Sequence, residues 1–202
     1  MASILKVDTI QDQSGNNIIN ENADTITIGA SGDTVNIVGT LQNGGTNFLQ
    51  GITEADQWRL SSNLANASGV NNITANLERN DTDFSLIGTG VSESSGIFSF
   101  PQTGIYLITV FSTTFNSATN AYGGIYINVT TNNSSYNSRG FAIGGGGAAG
   151  EYQTIAGNII FDVTNITTHK VRFQVSSPGS FTLSGSTNIQ YTGFNFIRLG
   201  DT

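Results

Sequence analysis

Apolar and polar positions alternate along most of this chain with a period of two, in short runs. "KVRFQV" (170–175) sets Val171, Phe173 and Val175 against Lys170, Arg172 and Gln174, and "SFTLSG" (180–185) repeats the pattern with Phe181 and Leu183. Successive side chains of a strand point to opposite faces, so each run predicts a strand with one buried face. Runs bounded by Gly, Ser and Asn turns predict strands at 95–100, 104–115, 122–130, 152–163, 168–175, 180–184 and 188–198. Trp58 is placed in a strand ahead of these, against the alternative of a short helix begun by Thr53, Glu54 and Asp56. Roughly eight antiparallel strands without helices predict an all-β sandwich or jelly roll.

Two runs break the alternation. "GIFSFPQTGIYLITV" (96–110) reads as a strand, a Pro-Gln-Thr-Gly turn and a second strand. In that second strand Ile105, Leu107 and Phe111 point one way, and Tyr106, Ile108 and Val110 the other. "YTGFNFIRL" (191–199) is likewise apolar on both faces. A strand of an antiparallel sandwich ordinarily keeps one face in water. Burying one large aromatic contributes about 2–3 kcal/mol, and a bare patch of several marks an interaction surface. The second face is therefore expected to line a subunit interface, with Tyr106, Ile108, Val110, Phe194 and Phe196 as its residues.

Residues 1–48 follow a different logic. In "DTITIGASGDTVNIVGTL" the pair Ile26 and Ile28 recurs nine residues later as Val35 and Ile37, with Gly29 and Gly32-Asp33 between them. Each unit reads as a strand with two inward residues, followed by a turn. Four aliphatic side chains make no core for one chain, and repeat units of this kind bury their stripe against neighbours. The expectation is a short β stem intertwined between copies, through Ile26, Ile28, Val35 and Ile37. The remaining residues, 49–202, form the head.

Composition narrows the functional classes. Hydrophobic residues make up 37 % of the 202-residue chain and charged residues only 10 %, well below the usual level of about 25 %. Asn, Ser, Thr and Gly fill the difference, which favours strands and turns over helices. The net charge of −7 and the absence of a Lys/Arg run argue against nucleic-acid binding, which needs a basic footprint. With no cysteine there is no disulfide and no thiolate metal site. No segment reads as a signal peptide or a membrane span, so synthesis in a cytoplasm is expected and the Asn-x-Ser/Thr matches at Asn66, Asn72, Asn128 and Asn165 read as chance.

A catalytic reading finds little to rest on. His169 is the single histidine, and its place beside Lys170 at a strand start reads as a surface position. No Gly-x-Ser-x-Gly elbow is present, and no acidic pair is marked out for glycoside hydrolysis. "GGGAAG" (145–150) matches Gly-x-Gly-x-x-Gly, but a strand-like run follows where a helix would be needed. Glu78, Asp81 and Asp83 read as a solvated acidic loop. The alternative is a calcium site with Asp81 and Asp83 as ligands, but the spacing lacks the remaining oxygen donors of a calcium loop. No other cofactor is expected. The segment 131–152, "TNNSSYNSRGFAIGGGGAAGEY", reads as a long loop suited to recognition, since loops on a rigid scaffold commonly carry binding. It offers Tyr136 and Phe141 as stacking rings and Arg139 as a planar donor, with Tyr122 and Tyr126 on the preceding strand, at least one of them facing outward.

Two resemblances gather these features. Gly96, Phe98, Pro101, Gly104 and Tyr106, followed by Ser186, Tyr191, Gly193 and Phe194, resemble the strand motifs of the complement first-component q globular head and its tumour-necrosis-factor-like relatives, with Tyr191 in place of the usual Phe. Over about 53–202 the resemblance implies a jelly roll of about ten antiparallel strands that forms a homotrimer, here without the collagen stalk of the animal members. "MASILKVDTIQDQSG", the stem repeat and "ITEADQWRL" resemble structural proteins of tailed bacteriophages, particularly marine ones. Together they imply a non-enzymatic virion protein: a trimeric tail fibre or spike with its N-terminus on other virion proteins and its head adsorbing to a host-surface glycan or protein. The alternatives are a capsid-surface or collar fibre with a purely structural role, and a complement-like binding module.

Overall fold

Every regular element among the described residues is a β-strand. The computed structural model describes residues 9–11, 13–14, 17–22, 25–28, 32–38, 42–43, 46–47, 51–84 and 86–202, and the chain divides into two units, Met1–Gln50 and Gly51–Thr202. In the first unit β1 (Thr9–Gln11), β2 (Asn17–Asn22) and β3 (Thr25–Ile28) form an antiparallel three-stranded sheet, and β4 (Gln42–Asn43) pairs with β5 (Thr46–Asn47). Ile28, Val35 and Ile37 are exposed in the single chain, while the side chain of Ile26 lies outside the described residues. The two repeat units are not alike. The first lies in β3, whereas residues 33–37 have no regular structure and pair with no strand among the described residues.

The second unit is a two-sheet sandwich built from β6 (Ala55–Leu60), β7 (Leu64–Asn66), β8 (Gly69–Asn72), β9 (Leu77–Arg79), β10 (Ser92–Ser94), β11 (Ile97–Ser99), β12 (Gly104–Asn116), β13 (Asn120–Thr130), β14 (Asn137–Gly147), β15 (Tyr152–Val163), β16 (Lys170–Ser177), β17 (Phe181–Leu183) and β18 (Thr192–Gly200). One sheet runs β9-β6-β18-β12-β15, with β17 and β7 continuing beside the far end of β12. The other runs β10-β11-β16-β13-β14, with β8 on β16. All strand pairings among the described residues are antiparallel, as expected of a jelly roll.

The core between the sheets is aromatic. Phe98 meets Trp58, Phe173 and Phe196 at centroid distances of 5.4, 5.6 and 5.1 Å, and Phe173 meets Phe194 at 4.4 Å. Tilted and edge-on rings at such separations add to the area they remove from water. Trp58 lies in a strand, the reading preferred over a short helix. Glu54 and Asp56 do not start a helix: their carboxylates accept the backbone N–H groups of Thr89, Gly90 and Val91 at 2.8–2.9 Å and hold that segment against β6. Gly104 opens β12 with φ +146, and a Cβ there would lie 2.6 Å from the Gly200 carbonyl oxygen, so the turn before β12 requires glycine.

The interface expectation inverts. Tyr106, Ile108, Val110, Phe194 and Phe196 are between 0 and 1 % exposed within the single chain, because the second sheet covers them. The uncovered face of β12 is the other one, carrying Ile105, Leu107, Phe111 and Phe115. The segment read as a loop is corrected too. Residues 137–147 form β14, paired with β13 along nearly its whole length.

Candidate functional site

Two outer faces of the sandwich carry side chains that the fold leaves uncommitted. On the first, β12, β15 and β18 align an apolar grid by their register. Leu107 sits between Ile160 and Ile197, and Phe115 opposite Tyr152, with rings 5.1 Å apart. Ile160 is 67 % exposed and Tyr152 69 %. Leu199 adds to the same side at the end of β18. Between them lie Thr109, Asn158 and Asn195, so the grid carries no charge at its centre. A single chain leaves this face to water.

On the opposite sheet two cross-strand rows stand side by side. Ile97, Arg172, Asn128 and Ser138 make the first, and Asn72, Gln174, Tyr126 and Phe141 the second. Phe141 stacks on Tyr126 with centroids 3.9 Å apart and planes 12° from parallel. Gly124 is the seat for this ring, since a Cβ there would lie 2.5 Å from Phe141 Cε2. Tyr136 lies over Arg172, whose guanidinium carbon is 4.2 Å from the ring centroid. Burial raises the Tyr136 pKa above its usual 10.0, with the Arg172 charge opposing. An amide chain links the rows. Ser138 Oγ donates to Asn128 Oδ1 at 2.7 Å, Asn128 Nδ2 to Gln174 Oε1 at 2.9 Å, and Gln174 Nε2 to Asn72 Oδ1 at 2.9 Å.

Of the expected recognition residues, Phe141 and Tyr136 reach this face, on a strand and the turn before it rather than on a mobile loop. Tyr122 occupies the same side of β13, four residues before Tyr126. Arg139 is separated from them. It sits where β14 bulges and lines a depression of ≈ 510 Å³ with Val129, Thr131, Asn137, Ile159, Ile160 and Phe161. Tyr126, offered with Tyr122 as an outward ring, does reach this face, whereas the sequence reading gave no binding role to Asn128, Arg172, Gln174 or Asn72. The signal was present in "KVRFQV", whose polar half is the outer face of β16.

The acidic loop has another purpose. Arg59 is buried and donates to Glu78 at 2.9 Å and to Asp81 at 2.6 Å, so Asp81 is a counterion. Asp83 takes a left-handed φ of 51° in the same turn. Among the described residues no group of three or more His, Cys, Asp or Glu side chains could hold a metal. His169 is buried rather than exposed: it stacks on Phe161 at 5.7 Å, and its two ring nitrogens meet the Thr164 and Thr168 hydroxyls at 3.1 Å. Gly145–Gly147 lie in β14 and are followed by another strand, so the helix a dinucleotide site needs is absent there.

Comparison with solved structures places the fold among tumour-necrosis-factor-like jelly rolls. Eiger TNF from S. frugiperda matches over 73 % of this chain and 93 % of its own, with 8 % identity and a TM-score of 0.59. Murine APRIL matches over 72 % of this chain and 98 % of its own, with 15 % identity and a TM-score of 0.53. PRD1 vertex protein P5 is also similar, at 15 % identity over 75 % of this chain and all of its own, with a TM-score of 0.46 that carries no inference. No protein-family model and no curated protein sequence matches the chain.

Proposed function

We propose that this chain is a non-enzymatic structural protein of a bacteriophage particle: a homotrimeric tail fibre or spike whose head adsorbs to the host surface. The observation that carries the reading is the apolar grid on the outer face of β12, β15 and β18, uncharged at its centre and with Asp162 opposite Ile105 at its end, on a head of tumour-necrosis-factor-like fold. Apolar surface of that extent is stable only when covered, and further copies of the chain cover it in the trimer that the complement-like motifs imply. The exposed aliphatic residues of the first unit, Ile10, Ile19, Ile28, Val35, Ile37 and Val38, fit a stem completed by the same three copies. The N-terminal segment, with its likeness to tailed-phage proteins, supplies attachment to the virion.

The test is antibody-gold labelling of purified virions with serum raised against residues 51–202. Label at the tail, with the purified protein competing for adsorption, is the expected result. Label over the capsid or collar would replace adsorption by a purely structural role. A particle lacking the protein would overturn the virion reading.

A further inference from the structure

We infer that the outer face of β8, β16, β13 and β14 is a binding surface for an acidic polysaccharide, with Tyr126 and Phe141 as its stacking platform and Arg172 as its carboxylate-binding group. The inference rests on the adsorption reading and gives it a ligand class.

Charge distribution is the first argument. The chain has 14 acidic and 7 basic residues, yet β8, β11, β13, β14 and β16 contain no acidic residue and hold Arg139, Lys170 and Arg172. Arg59, Arg79 and Arg198 are each paired with a carboxylate. Arg172 has no ion pair or hydrogen bond among the described residues, and its Nε is buried without a partner. Within this sheet only β10, at its far edge, carries an acid, Glu93, and the two guanidinium groups without an ion pair among the described residues, Arg139 and Arg172, both lie on its acid-free strands. Lining Arg172 up under Tyr136 fixes the plane in which a carboxylate would be met.

The hydrogen-bond direction is the second. Asn128 is buried, and it sets Gln174 and Ser138 by holding one atom of each. That leaves the second Gln174 N–H and both N–H groups of exposed Asn72 as outward donors, and Ser138 Oγ as an outward acceptor. Sugar hydroxyls both donate and accept, and the apolar face of a sugar ring packs on an aromatic platform. Each row spans four strands, about 14 Å at the usual strand spacing. Rigid rings and pre-set amides lose little entropy on binding.

The test measures binding of the full-length protein to immobilised polygalacturonate, with neutral dextran and polyphosphate as comparison probes. The expected result is salt-sensitive binding to polygalacturonate that exceeds binding to either other probe. Phe141→Ala, Tyr126→Ala and Arg172→Gln should each weaken it at least tenfold, with melting temperatures confirming that each variant is folded. Equal binding to polyphosphate would reduce the surface to a generic anion patch and overturn the inference. Folded variants that bind like wild type would overturn it as well. A protein that blocks phage adsorption yet ignores polygalacturonate refutes this inference alone. One that binds polygalacturonate yet is missing from virions supports it and refutes the adsorption reading.

Discussion

Tyr106 shows how one side chain is tied to the fold on two sides. Its ring packs on Phe100 at 4.6 Å, and its hydroxyl donates to the Gln102 carbonyl at 3.0 Å. Burial, reinforced by the Glu54 carboxylate, pushes its pKa from 10.0 up to about 12, against the opposing pull of Arg198 and of the hydrogen bond. Below pH 10 the phenol is neutral whether the chain is folded or not. Above that value the unfolded chain ionises first and binds fewer protons, so stability falls as pH rises through 10 to 12. Denaturant unfolding at pH 9 and pH 11.5 should therefore show a smaller alkaline loss for Tyr106→Phe than for wild type, by on the order of 2 kcal/mol. Equal losses would mean that the phenol is not held in its neutral form. Partners of single charged residues were harder to read from the chain. The acidic cluster at 78–83 was legible as a cluster, but its partner, Arg59, lies about twenty residues away and meets it only once β6 pairs with β9.

Among the strands, β14 was the least legible. Four consecutive glycines look like a turn, and all four belong to a strand that packs closely on its surroundings. A Cβ on Gly140 would lie 2.7 Å from Ile159 Cγ2, and one on Gly144 would lie 2.8 Å from Ile155 Cγ2, so β14 and β15 approach each other across the sandwich edge through missing side chains. Gly145 faces open space. Gly140→Val should lower stability by about 1–3 kcal/mol through overpacking, whereas Gly145→Val should stay within about 0.5 kcal/mol of wild type. Thermal or urea unfolding of the two variants decides it, and two neutral substitutions would return the segment to a loop. Where alternation was clean, as in β16 and β17, the buried residues were read correctly from the sequence. In β12 it was not clean. Periodicity showed that two apolar faces exist, but which one the second sheet covers depends on long-range pairing that no local pattern encodes.

At the scale of the whole molecule, that reversal moves the proposed interface to the other face of β12. The core takes Tyr106, Ile108 and Val110, and the face that the proposed trimer would cover carries Leu107, Phe111, Phe115, Tyr152, Ile160 and Ile197. An oligomer built on this face has a mass set by its copy number and a stability set by these side chains. The native mass of the full-length protein across a dilution series, measured beside the double variant Leu107→Asp, Phe111→Asp, tests this most directly. Wild type should hold at three times the 21.2 kDa chain mass, and the variant should dissociate at a concentration at least tenfold higher. A wild-type protein that stays at 21.2 kDa, or a variant that dissociates just as wild type does, would contradict the account.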